Sequence, residues 1–138
     1  MEIHWDQERQ VSRYYAEDES FRVEVHHWTN GRMEMYNKYV YLYPSHPLFA
    51  KVRPSVGPDG TFQYIGIAPS FVEFFNYHDV THYDEIFDVS GNFVCQEFGD
   101  DYGHNAYDGL DDVGEDGANV YQDAQRLIDY LEKVIHTV

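Results

Sequence analysis

From Phe21 the chain alternates, with Phe21, Val23 and Val25 apolar and Arg22, Glu24 and His26 polar, a period of two that predicts a half-buried strand. Asn30-Gly31 follows, a pair that tolerates positive φ and marks a tight hairpin turn. A run rich in Tyr and Val from about Met33 to Tyr43 supplies the returning strand. Pro44-Ser45-His46-Pro47 then breaks the pattern, and Pro54 and Pro58-Asp59-Gly60 mark further loop. Thr61 to Ile67 predicts a short strand. Pro69 opens a short helix, with Phe71, Phe74 and Phe75 on one face. Glu85 to Val89 and Phe93 to Phe98 flank Ser90-Gly91-Asn92, a second hairpin.

The stretch from Gly99 to Gly117 has no period, several glycines and many acids, and reads as an acidic surface loop. Beyond it Val120, Leu127, Ile128, Leu131, Val134 and Ile135 recur at helical spacing. Asp116 stands where a carboxylate caps exposed N–H groups at the positive end of that helix, and Lys133 and His136 fall near its negative end. Residues 1–20 are polar and yield no element. The expected fold is α+β: an antiparallel sheet built from hairpins, packed by a C-terminal helix and one shorter helix. No repeat or low-complexity linker divides the 138 residues, a common length for one domain.

Composition sharpens this picture in two places. Aromatic residues make up 17% of the chain, including 13 Tyr and 9 Phe, which separates it from disordered acidic sequences. Cys95 is the only cysteine, which excludes an internal disulfide and a multi-cysteine zinc site, and its apolar surroundings predict a buried, inert thiol. The opening residues Met1 to Asp6 lack the basic and apolar blocks of a signal peptide, and no run approaches the roughly 18 apolar residues of a membrane span. A reducing cytoplasm is the expected home.

The net charge of −16 is the main anomaly. Between Arg53 and Arg126 there is no lysine or arginine, while acids run through the same interval from Asp59 to Asp123. Carboxylates with few local counter-ions repel one another and destabilise the folded state. Nucleic acid and anionic membranes are therefore poor partners, and a basic protein surface, or a multivalent cation, is a good one. Solubility alone is the plainer account of such a charge.

Short motifs add a resemblance. Tyr39 to Phe49, reading Tyr-Val-Tyr-Leu-Tyr-Pro-Ser-His-Pro-Leu-Phe, resembles a strand and His-Pro-Leu-aromatic loop of small uncharacterised bacteriophage proteins. Asp88-Val89-Ser90-Gly91-Asn92 is similar to their Asp-Val-His-Gly-Gly turn, and Phe98-Gly99-Asp100-Asp101-Tyr102-Gly103-His104 to their Phe-Gly-Phe-Asp-Cys-Ala-His segment. The likeness spans about residues 39–135. Ser90 stands in place of the family's His and Tyr102 in place of its Cys, so a shared scaffold carries over better than a shared catalytic site. What the resemblance implies is origin: a phage accessory protein, dispensable for building the virion.

Candidate chemistry gathers in the acidic stretch. Asp100, Asp101, His104 and Asp108, with His46 as a distant partner, are residue types that bind a divalent cation or act as acid and base. His78-Asp79-Val80-Thr81-His82 has the spacing of a zinc motif, but Asp replaces the longer Glu and β-branched Val80 and Thr81 weaken the required helix. The acids from Asp108 to Asp116 lack the alternation and final Glu of an EF-hand loop. Tyr83, Tyr102 and Tyr107 interleave with acids, pairing rigid contact area with acceptors for Arg and Lys.

The expected function is therefore a phage-encoded, anti-CRISPR-like or anti-restriction inhibitor of a bacterial defence system. It would occupy a basic nucleic-acid-binding surface by mimicry, through Glu97, Asp100, Asp101, Tyr102, Tyr107, Asp108, Asp111, Asp112, Glu115 and Asp116. No cofactor or resident metal is expected. Two other classes stay open: a nucleotide-signal binder or metal-dependent hydrolase using the Asp101/His104 loop, and a virion assembly protein.

Overall fold

In the computed structural model the described residues are 3–8, 11–30, 33–51, 53–56, 62–65, 80, 82–102 and 117–137. They form strands β1 (Ile3–Glu8), β2 (Val11–Glu17), β3 (Phe21–Asn30), β4 (Met33–Leu42), β5 (Arg53–Val56), β6 (Phe62–Ile65), β7 (His82–Phe87) and β8 (Phe93–Tyr102), and helix α1 (Ala118–Thr137). Six strands make one antiparallel sheet in the order β1-β2-β3-β4-β8-β7, while β5 and β6 pair as a separate ribbon. The first four strands follow the chain. The last hairpin then docks with β8 against β4 and leaves β7 at the edge.

Register follows the alternation read from the sequence. β3 and β4 pair from Phe21↔Leu42 to Asn30↔Met33, a hairpin as expected, with Asn30 closing β3 as a paired strand residue instead of occupying the turn. Phe21, Val23 and Val25 therefore share a face with Tyr36, Val40 and Leu42, and Val40↔Phe98 extends that face onto β8. All seven are buried, and α1 covers them with Val120, Ala124, Leu127, Ile128 and Leu131. Burying such a side chain fully contributes about 1.5–3 kcal/mol, so this seam is the main source of cohesion. The helical stripe read from the sequence is the face that α1 presents to β3 and β4.

The second hairpin also forms where expected. Asp88 Oδ1 accepts from the Ser90 amide at 2.9 Å and the Asn92 amide at 3.0 Å, and Gly91 takes φ 87°. These bonds, those to Asn92 first, hold the Asp88 carboxyl below its ordinary value of 3.8.

Several expectations change. Residues 3–8 and 11–17, which gave no element, extend the sheet as β1 and β2. Pro54 lies inside β5, opposite Tyr64, in a two-stranded ribbon whose strands are both edges and tolerate a missing N–H. Gly99 to Tyr102 continue β8 instead of opening a loop. Among the described residues α1 is the only helix; the shorter helix expected from Pro69 falls outside them. None of the described helical residues forms a segment long and apolar enough to cross a membrane.

Candidate functional site

Of the partner-binding residues singled out from sequence, Glu97, Asp100, Asp101 and Tyr102 are described, all on β8. Glu97 lies on β8 and is half-buried. Asp101 and Tyr102 are the last residues of that strand, in register with Asn37 and Tyr36. His104, Tyr107, Asp108, Asp111, Asp112, Glu115 and Asp116 fall outside the described residues.

Asp100 must be corrected. It was expected at a partner-facing surface but is only 2% exposed, with Oδ2 3.5 Å from Nζ of Lys38, which is wholly buried. Strand alternation is the reason: Gln96, Phe98 and Asp100 all project toward the helix side, and the register sets Lys38 directly opposite Asp100. The segment empty of lysine and arginine thus takes its counter-ion from β4. Burial pulls the Lys38 ammonium below its ordinary 10.5, while Asp100 and Asp123 of α1 oppose that shift.

His46, expected as a distant catalytic or metal partner, is a structural residue. Its ring is 2% exposed, its Nε2 donates to the Leu131 carbonyl at 3.2 Å, and its Nδ1 accepts from the Leu48 amide at 3.0 Å. Phe21 meets the ring edge-to-face at 5.7 Å. These contacts tie the Pro44–Pro47 turn to the helix, and burial lowers the imidazole from its ordinary 6.5. Leu48 is buried beside it, and Ala50 (φ 62°) donates its amide to Gln96 Oε1 at 2.8 Å.

His82 begins a strand and not a helix, so it cannot share a helical face with His78, which lies outside the described residues. Cys95 is buried as expected, and desolvation with Glu97 nearby pushes its thiol up to about 11. Among the described residues no group of three or more His, Cys, Asp or Glu is placed to hold a metal ion.

A different constellation lies on the face of the sheet away from α1. Alternation places Arg22, Glu24 and His26 of β3, Tyr39 and Tyr41 of β4, Glu97 of β8 and His82 of β7 on that side. Register aligns them in two rows, Arg22–Tyr41–Glu97–Asp84 and Glu24–Tyr39–Gly99–His82. Glu24 is only 5% exposed, held by Arg22 Nη2 at 2.7 Å and His26 Nε2 at 3.1 Å. The Tyr41 phenol sits between Glu24 and Glu97. Burial first, and then these two carboxylates, raise it far above its ordinary 10.0. His82 Nε2 lies 2.5 Å from Glu97 Oε1.

Tyr39 bridges the second row. Its ring centroid is 4.9 Å from that of His26 and 6.2 Å from that of His82. It covers Gly99 so closely that a Cβ there would come within 2.9 Å of Cδ1 and Cε1. A tyrosine laid over a strand glycine restores the side-chain packing that the glycine lacks. Beside these rows opens a shallow cavity of about 370 Å³ lined by Arg22, Glu24, His26, Tyr41 and Tyr43.

Sequence reading treated Arg22, Glu24 and His26 only as the polar side of a strand. The signal that points to the cluster is the Tyr39, Tyr41, Tyr43 alternation on the partner strand across the hairpin. Chemically the described side chains of this face offer aromatic surfaces, phenol and imidazole donors, and the carboxylates of Glu24, Glu97 and Asp84 beside the Arg22 guanidinium. No family model matches the chain, and no match was found among curated proteins or solved structures.

Proposed function

We propose that this chain is an acidic binding protein that occupies a basic, nucleic-acid-binding surface of a bacterial defence complex and blocks it without turnover. Its source would be a bacteriophage, and its place of action the cytoplasm of the host. The observation that carries the reading is the charge: −16 overall, with no lysine or arginine between Arg53 and Arg126. Two of the nine basic residues, Arg22 and Lys38, are engaged by Glu24 and Asp100 inside the fold. Each cancels one acid, so the whole net charge is carried by the remaining side chains.

A partner surface that ordinarily binds phosphates with Lys and Arg would accept carboxylates in their place, releasing counter-ions from both surfaces. Charge of this kind speeds encounter and selects partners more than it deepens affinity, so aromatic contacts must supply the rest.

The test uses the immobilised chain, host lysate at low salt, and mass spectrometry of what is retained. Retained proteins should be nucleic-acid-binding, should be displaced by added duplex DNA or RNA, and should lose affinity steeply between about 50 mM and 200 mM salt. Retention that is indifferent to salt, or that nucleic acid does not compete, would sink the reading.

A further inference from the structure

On the helix side of the sheet, Lys38 and Asp100 have the parts of a reaction as well as of an ion pair. An amine and a carboxyl group stand directly opposite one another on hydrogen-bonded strands. Both side chains are wholly buried, and Nζ lies 3.5 Å from Oδ2. That is close to the separation of about 3–3.5 Å at which positioned reactants meet. The surroundings are apolar: Val25 is the partner of Lys38 on β3, and Val40 with Phe98 forms the next pair on the same face. Asp123 of α1 is near enough to favour the Lys38 charge, which brings a third ionisable group to the pair. Water is shut out, so each charge is costly to hold there and an amide would be protected from hydrolysis.

We propose that in the folded chain Lys38 and Asp100 condense into an internal amide, with Asp123 carrying the proton. The ammonium first passes a proton to the Asp100 carboxylate, leaving two neutral groups. Burial, which already pulls the ammonium below its ordinary 10.5, favours that exchange. The desolvated Nζ lone pair then attacks Cγ, and the carbonyl electron pair moves onto oxygen. Asp123 takes a proton from the nitrogen and returns it to the departing hydroxyl. The Cγ–O bond breaks, the carbonyl re-forms and one water leaves, so ammonium plus carboxylate becomes amide plus water. The product replaces two buried charges with one neutral donor and acceptor. It ties β4 to β8 as a disulfide would, in a chain whose only cysteine is Cys95. Self-repulsion in a protein of −16 gives such a tie a use. The step needs the folded register and is slow beside folding: freshly refolded chain carries the ion pair, and aged chain the bond. None of this depends on the partner being basic.

The experiment follows the intact mass of the refolded chain over days at neutral pH, with tandem mass spectrometry of a digest to locate any change. The mass should fall by that of one water, and a branched peptide should join Lys38 to Asp100. Asp100→Asn should reach the same final mass by losing ammonia instead. Lys38→Arg, which keeps a cation opposite Asp100, should hold its full mass. Asp123→Asn should slow the loss about a hundredfold, the lower end for a positioned proton carrier, with helix content unchanged by circular dichroism. A parent mass that never changes overturns the proposal. So does a lost water that maps to a cyclic imide at an Asp-Gly pair such as Asp116-Gly117, which mild alkali reverses. An unaltered rate in Asp123→Asn overturns the role given to Asp123.

Discussion

Replacing Asp100 with alanine leaves the Lys38 ammonium buried on the helix side of β4 without the carboxylate that pairs with it at 3.5 Å, while Asp123 still favours its charge. Breaking a buried pair by removing one partner costs about 3–5 kcal/mol. A second limit comes from the lysine itself, which can shed its proton. Doing so at pH 7 from the ordinary value of 10.5 costs about 5 kcal/mol, which caps the loss. Asp123 offsets part of it, so the expected cost is about 3 kcal/mol, a large share of the stability of a domain this size.

The double replacement of Lys38 by Met and Asp100 by Leu should instead unfold within about 1 kcal/mol of the parent, because neither charge is then desolvated. Urea unfolding followed by aromatic fluorescence measures both, with the slope checked for constancy. The pH dependence gives an independent check. The folded state depresses the Lys38 value below the unfolded one, so in that window the unfolded chain binds more protons and stability rises with pH. Loss of Asp100 widens the window. The deficit of Asp100→Ala should therefore be largest at neutral pH and shrink as pH climbs toward 10.5. A cost below about 1 kcal/mol, or a deficit that grows in alkali, would refute the picture of a desolvated lysine held by Asp100.

Three further outcomes are expected. His46→Gln should lose about 1 kcal/mol at neutral pH from its bonds to Leu131 and Leu48. It should also flatten the stability profile below 6.5, because a depressed imidazole value makes stability fall as acid protonates the unfolded chain first; equilibrium unfolding across pH 5 to 8, a range chosen to bracket imidazole titration, checks both. Gly99→Ala should cost about 1–3 kcal/mol by driving Tyr39 off the strand, visible as a loss of the ring-current shifts it shares with His26 and His82. Asp88→Ala should speed hydrogen exchange at the Asn92 amide while leaving α1 amides protected, because the turn bonds are local.

The elements legible in the sequence were those whose cause is local. Phe21/Val23/Val25 alternation, Asn30-Gly31, Ser90-Gly91-Asn92 and the Val120–Ile135 stripe each encode their geometry within a few residues. β2 was missed because Ser12, Arg13, Tyr14 and Tyr15 do not alternate cleanly in polarity. The pairing of β4 with β8 has no local signal at all. That pairing decides the fate of Asp100: distance along the chain counted no counter-ion, while distance across the sheet supplies Lys38. Glu97 has described neighbours on β4 and β7 that no spacing along the chain announces. His46 misled because a histidine between two prolines reads as solvent-facing loop. The turn instead folds the ring under the helix.

The place of β8 in the sheet has a consequence for biosynthesis. Strands β1 to β4 can zip together in the order the ribosome delivers them, yet the outer edge of β4 must wait until β8 arrives, with β5, β6 and β7 emerging in between. During that interval Lys38 stays hydrated and the edge is a template for pairing with a neighbouring nascent chain. A hydrated ammonium in the middle of that edge resists such pairing, so a residue wholly buried in the finished sheet acts as a guard while the sheet is still half made.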